Sequence, residues 1–110
     1  MRLLGGGPGM AQASLAASYA AQRLDPSFAD AYMQMALARQ ALGEGVEALE
    51  AATKAIGLWT LQSRSENLPA AYSLRAKLGN DARDHRAALS DADKALAYDP
   101  VFAAAYLQRA

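Results

Sequence analysis

One stretch of this chain occurs twice. Asp25-Pro26-Ser27-Phe28-Ala29-Asp30-Ala31-Tyr32-Met33-Gln34-Met35-Ala36 returns as Asp99-Pro100-Val101-Phe102-Ala103-Ala104-Ala105-Tyr106-Leu107-Gln108-Arg109-Ala110. The match covers the Asp-Pro pair, the Phe, two Ala, the Tyr, the Gln and the last Ala. A partial copy, Pro69-Ala70-Ala71-Tyr72-Ser73-Leu74-Arg75-Ala76, lies between, and its Tyr-x-x-Arg-Ala recurs 34 residues later at Tyr106, Arg109 and Ala110. A period of that size marks an array of stacked units, in which no single unit buries its apolar face alone.

Punctuation along the chain divides it into helices. The Gly-rich start, residues 1–10, reads as a flexible leader, because glycine loses the most chain entropy on ordering. Gly5-Gly6-Gly7-Pro8-Gly9 has no Gly-Lys-Ser/Thr after it, so a phosphate-cradling loop is disfavoured. Residues 11–24 form a first helix, with Leu15 and Tyr19 on one face, stopped by Asp25-Pro26. Ala29 to Leu42 is the second, ended by Gly43-Glu44-Gly45 in a capped tight turn. Val46 to Leu58 is the third, and the two make an antiparallel hairpin.

A second hairpin is expected from Pro69 to Leu78 and from His85 to Tyr98, with Gly79-Asn80-Asp81 ending its first helix early and Asp84 capping its second. Asp99-Pro100 closes that helix, and Phe102 to Ala110 begins another. Between the hairpins, Trp59 to Leu68 is longer than the period allows and is expected as a looped-out insertion, with Trp59 covering the end of the preceding helix.

Composition narrows the function classes. Apolar residues make up 53% of the chain but only 7% are aromatic, so the core is thin and alanine-rich. Eleven basic residues balance eleven acidic ones, which removes the electrostatic footprint of a general nucleic-acid binder. Without cysteine there are no disulfides or thiolate sites. His85, the single histidine, sits at a turn and reads as solvated. Asp81, Asp84, Asp91 and Asp93 interleave with Arg83, Arg86 and Lys94 as a solvated helix surface does. No nucleophile, base and orienting residue stand at a recognisable spacing, and no cofactor or metal motif is present, so no enzyme is expected. Met1 to Leu24 holds Arg2 and Arg23 and no acid; a linker with a structural helix is preferred there, an organelle-import segment is the alternative, and the cytoplasm is the default compartment.

These residues resemble the tetratricopeptide repeat, a helix-turn-helix unit with an aromatic, a large apolar and a small residue in its first helix, then Ala, a packing residue, Ala and Pro. Tyr32, Met35, Ala36, Ala48, Ala52, Ala55 and Thr60 fill these places in one unit, and Tyr72, Arg75, Ala76, Ala88, Ala92, Ala95 and Pro100 in the next. The resemblance covers residues 11–110, with units at about 29–62 and 69–102 flanked by partial ones and the insertion at about 59–68. Arg39 and Gly79, where the family has an aromatic, and Thr60 for Pro depart from it and imply a loosened middle. The implied fold is all-α, an antiparallel helix-hairpin solenoid with a right-handed superhelix and about six helices. Ala36, Ala48, Ala76 and Ala88 are then the points of closest helix approach.

The function implied by the resemblance is non-enzymatic protein or peptide binding in a concave groove. By register that groove holds Asp30, Met33, Leu37, Gln40, Ser73, Lys77, Asn80 and Leu107. Only Lys77 among them is basic, which argues against a clamp for a peptide's terminal carboxylate. Two full units are fewer than the usual three, and the chain stops within a helix at Ala110. Its uncapped ends are therefore expected to be covered, by a longer repeat protein, by a second copy in a homodimer, or within a large complex where the chain is a structural subunit. Helical-repeat RNA binding is the least favoured reading, and no membrane role is expected.

Overall fold

A computed structural model describes residues 7–108, with side chains from 9 to 104. Six α-helices and one 3₁₀ turn account for most of the described residues, and no strand occurs among them. The helices are α1 (Gly7–Leu24), α2 (Ala29–Ala41), α3 (Gly45–Leu61), α4 (Leu68–Asp81), α5 (His85–Tyr98) and α6 (Pro100–Gln108), with the 3₁₀ turn at Ser65–Asn67. None is long and apolar enough to cross a membrane. The helices α2 and α3 form one antiparallel hairpin and α4 and α5 a second; α1 packs on α2, and α6 on α4 and α5.

Three helices end the same way. After α2, Gly43 takes φ 77, and the N–H groups of Gly43 and Glu44 bond back to the carbonyls of Gln40 and Arg39. After α3, Ser63 takes φ 58, with Ser63 and Arg64 bonding to Thr60 and Trp59; after α4, Arg83 takes φ 64, with Arg83 and Asp84 bonding to Asn80 and Gly79. This paired closure satisfies the last carbonyls of each helix. Glycine suits the left-handed residue, so Ser63 and Arg83 hold a conformation costing each about 1 kcal/mol. Asp84 caps α5 as expected, its Oδ1 accepting from the Ala87 N–H at 3.2 Å. Asp99 does the same for α6, accepting from the Phe102 N–H at 3.1 Å.

Three expectations need correction. The first helix begins at Gly7, inside the anticipated leader, where Pro8 is tolerated because a helix's first turn needs no N–H donor; residues 1–6 lie outside the described residues. The insertion is shorter than 59–68: α3 runs to Leu61 and α4 starts at Leu68, because Trp59 and Leu68 are both buried in one cluster with Ala29, Ala55, Ile56 and Ala71. That burial makes Trp59 a core residue. Finally, α4 does not end at Leu78 but continues through Gly79-Asn80-Asp81. A Cβ on Gly79 would lie 3.3 Å from Ala88 Cβ, so the glycine serves close approach of α4 and α5 while Arg83 supplies the break.

The core joins the hairpins through two clusters. Beside the Trp59 cluster, Ala36, Ala48 and Ala52 of the first hairpin meet Leu74 and Leu78 of the second. Leu74 is fully buried, and burial of a side chain of this size contributes about 1.5–3 kcal/mol. Ala36, Ala48, Ala76 and Ala88 are all buried. Alanine there lets neighbouring backbones come close, and a larger side chain would overpack.

Candidate functional site

The anticipated groove residues separate into three sets. Asp30, Leu37 and Asn80 are exposed, and Gln40 and Lys77 are half-buried. Met33 packs against both core clusters, and Ser73 is fully buried. Ser73 cannot line an open surface in this structure, and its Oγ has no hydrogen-bond partner among the described residues. The side chain of Leu107 lies outside the described residues. His85 is exposed at the start of α5, with Nδ1 3.0 Å from Asn80 Oδ1. The accessible ones among the anticipated groove residues, Asp30, Leu37 and Gln40 on α2 and Lys77 and Asn80 on α4, are of mixed chemical character.

Two clefts with corresponding linings lie elsewhere. The first, about 380 Å³, opens between α1 and α3 with α2 beneath, and Tyr19, Met35, Arg39, Glu47, Glu50 and Lys54 line it. The second, about 280 Å³, opens between α3 and α5 with α4 beneath, and is lined by Thr53, Arg75, Gly79, Ser90, Asp91 and Lys94. Met35 and Arg75, Arg39 and Gly79, Glu50 and Ser90, Ala51 and Asp91, and Lys54 and Lys94 are each 40 residues apart.

Each cleft is clasped by one arginine. In the first, Arg39 Nη1 donates to Glu44 Oε1 at 2.7 Å and Nη2 to Tyr19 Oη at 2.6 Å, tying α2 to α1. The bond to Glu44 first, and that to Tyr19 next, raise the guanidinium pKa above its ordinary value. In the second, Arg75 Nε and Nη2 donate to Asp91 Oδ2 and Oδ1, both at 2.9 Å, and Nη1 donates to Thr53 Oγ1 at 3.2 Å. This fork ties α4 to α5 and α3, and the Asp91 bonds raise the Arg75 pKa above its usual range. The Asp91 side chain is 7% exposed and that of Arg75 22%.

Tyr72 completes the second site. Arg75 and Lys94 each sit 5.6 Å from its ring centre, and Tyr98 stacks on it at 6.0 Å. Burial first, then the neighbouring Tyr98, pushes the Tyr72 phenol up.

Sequence reasoning missed this pair, reading Asp91 as part of a solvated surface. A signal was present: Arg75 occupies the slot that Met35 fills in the first hairpin, and Asp91 that of Ala51. A cation and an anion replacing two apolar residues on facing helices mark a buried ion pair. Among the described residues no group of three His, Cys, Asp or Glu is placed to hold a metal ion. No model of a known protein family matches the chain, and no curated protein matches it significantly.

Proposed function

We propose that this chain is a non-enzymatic protein-interaction module, a helix-hairpin solenoid of the tetratricopeptide kind that binds a peptide or partner protein along α2 and α4. One observation carries the reading: two hairpins with the same helix ends offer corresponding accessible positions, Leu37 with Gln40 on α2 and Lys77 with Asn80 on α4. One apolar, one cationic and two amide side chains suit an extended peptide of mixed character. The test is selection of binders from a displayed random peptide library, followed by titration against Leu37→Glu and Lys77→Glu. Both positions are at least partly accessible, so helix content should be unchanged while binding falls about tenfold or more. Selected peptides that bind both variants as well as the native chain would refute it.

A structural role in a larger assembly is the second reading. It is favoured by Leu24, Leu61 and Val101, which are more than 80% exposed. It predicts concentration-dependent self-association of the isolated chain, relieved by Leu24→Lys with Leu61→Lys; a monomer at all concentrations by light scattering would count against it.

A further inference from the structure

We propose that the cleft between the two hairpin turns takes an apolar side chain of a partner protein, at a point where the partner carries a lysine or arginine beside it. The inference rests on the peptide-binding reading above, with which it shares Gln40, and names what such a peptide presents.

The cleft, about 380 Å³, lies where the turn after α2 meets the end of α4. Val46, Leu49, Leu78 and Ala82 give it an apolar wall, and Gly45 and Asp81 line it too. Leu78 is buried and Leu49 packs on the core, but Val46 is 69% exposed. An apolar side chain entering the cleft would take that surface out of water. Gln40 lines the cleft as well, so a peptide crossing the accessible positions of α2 and α4 reaches it.

Two of the lining residues are ones the fold itself does not require. Gly45 opens α3 with a backbone that is not left-handed, and a Cβ built on it meets nothing within 4 Å. The second hairpin carries His85 at the matching place, 40 residues on. Neither conformation nor packing therefore calls for glycine, and what it provides is open space in the cleft. Asp81 stands in the last turn of α4, where the helix dipole disfavours a carboxylate. The first hairpin has Ala41 at that place. Asp81 is exposed and makes no ion pair among the described residues, not even with Lys77 one turn before it.

Charge decides what accompanies the apolar side chain. Asp81 is the one charged residue lining the cleft, since Arg83, two positions on, does not line it. Arg39 and Glu44, at the same turn, already pair at 2.7 Å and bring no net charge. A single unpaired carboxylate at the rim attracts a cation and repels a second carboxylate.

The test uses the whole chain with labelled methyl groups, titrated with acetyl-Leu-Lys-amide and read by NMR at Val46, Leu49 and Leu78. Acetyl-Leu-Glu-amide and acetyl-Ala-Lys-amide are the controls, and isoamylamine is a further arm. Saturable shifts are expected with the Leu-Lys compound, which should bind about threefold or more tighter than either control. Gly45→Leu, which fills open space at an exposed position, should abolish binding with helix content unchanged. Asp81→Ala, which installs the residue of the first hairpin, should erase the difference between the Lys and Glu compounds. No saturable shift, equal binding of the Leu-Glu compound, retention of binding in Gly45→Leu, or a preference that persists in Asp81→Ala would each overturn the proposal. Isoamylamine binding as tightly as the dipeptide would give the cleft to a free amine, and methyl shifts that grow with protein concentration alone would give it to a second copy; both overturn it. Leu37→Glu keeps the two readings apart. Library-selected peptides that lose binding in Leu37→Glu but not in Gly45→Leu uphold the wider reading and refute this one. Leu-Lys binding with no selected peptide sensitive to Leu37→Glu does the reverse.

Discussion

Replacing Arg75 and Asp91 separately and together tests how the second hairpin is held. Arg75→Met alone strands a carboxylate whose side chain is 7% exposed and which has lost both of its charged donors. Removing one partner of a buried pair costs about 3–5 kcal/mol, and water entering the open cleft above places this case near about 3 kcal/mol. Asp91→Ala alone is milder, about 1–2 kcal/mol, because the Arg75 side chain is 22% exposed and keeps its Thr53 contact. The double replacement recreates Met35 and Ala51, the apolar solution the first hairpin already uses. It should therefore return to within about 1 kcal/mol of the native chain. Urea unfolding followed by far-UV circular dichroism on the four proteins gives the coupling, expected at about 3–5 kcal/mol. An Arg75→Met loss under about 1 kcal/mol, or a double variant as unstable as the sum of the singles, would refute the reasoning.

Ser73→Ala should stabilise the chain by about 1 kcal/mol in the same assay, since it removes a buried hydroxyl that has no partner. Arg83→Gly should add about 0.5 kcal/mol by relieving a left-handed backbone of φ 64, and a loss of stability there would count against strain at that turn. Stability should also fall in alkali. The raised phenol of Tyr72 stays protonated in the folded chain while the unfolded one begins to ionise at about pH 10, so its contribution is complete below that pH and is lost as pH rises through the folded value. A melting curve between pH 9 and about 11.5 on the native chain and on Tyr72→Phe separates this effect, which the phenylalanine variant should lack.

Local chemistry makes most of the helix boundaries legible in the sequence. Asp25-Pro26 and Gly43 stop helices where they stand, and Asp84 and Asp99 begin them, because each acts within one turn of itself. Gly79 misled, because a glycine that ends a helix and one that lets another helix approach look alike in sequence; Ala88, nine positions on, decides between them. Ser63 and Arg83 could not be read as turn-makers, since their left-handed conformations are imposed by the hairpins they close. Register puts Leu37, Gln40, Lys77 and Asn80 at exposed or half-buried positions, but the full burial of Ser73 and the packing of half-buried Met33 against both core clusters depend on how near the adjacent helices lie. The Arg75–Asp91 clasp was hidden for a related reason: the residues are 16 positions apart, and only the packing of α4 on α5 turns two charges into a pair.

The burial of Trp59 gives the chain a built-in optical reporter. It is the only tryptophan, and its neighbours come from both sides of the junction, Ala29 from α2 and Leu68 and Ala71 from α4. Its emission therefore follows the separation of the two hairpins, while circular dichroism at 222 nm follows the loss of helix wherever it occurs. Coincident transitions would mean that neither hairpin stands without the other. A fluorescence change that comes first would mean that the hairpins part while still helical, opening the chain along the seam that this indole fills.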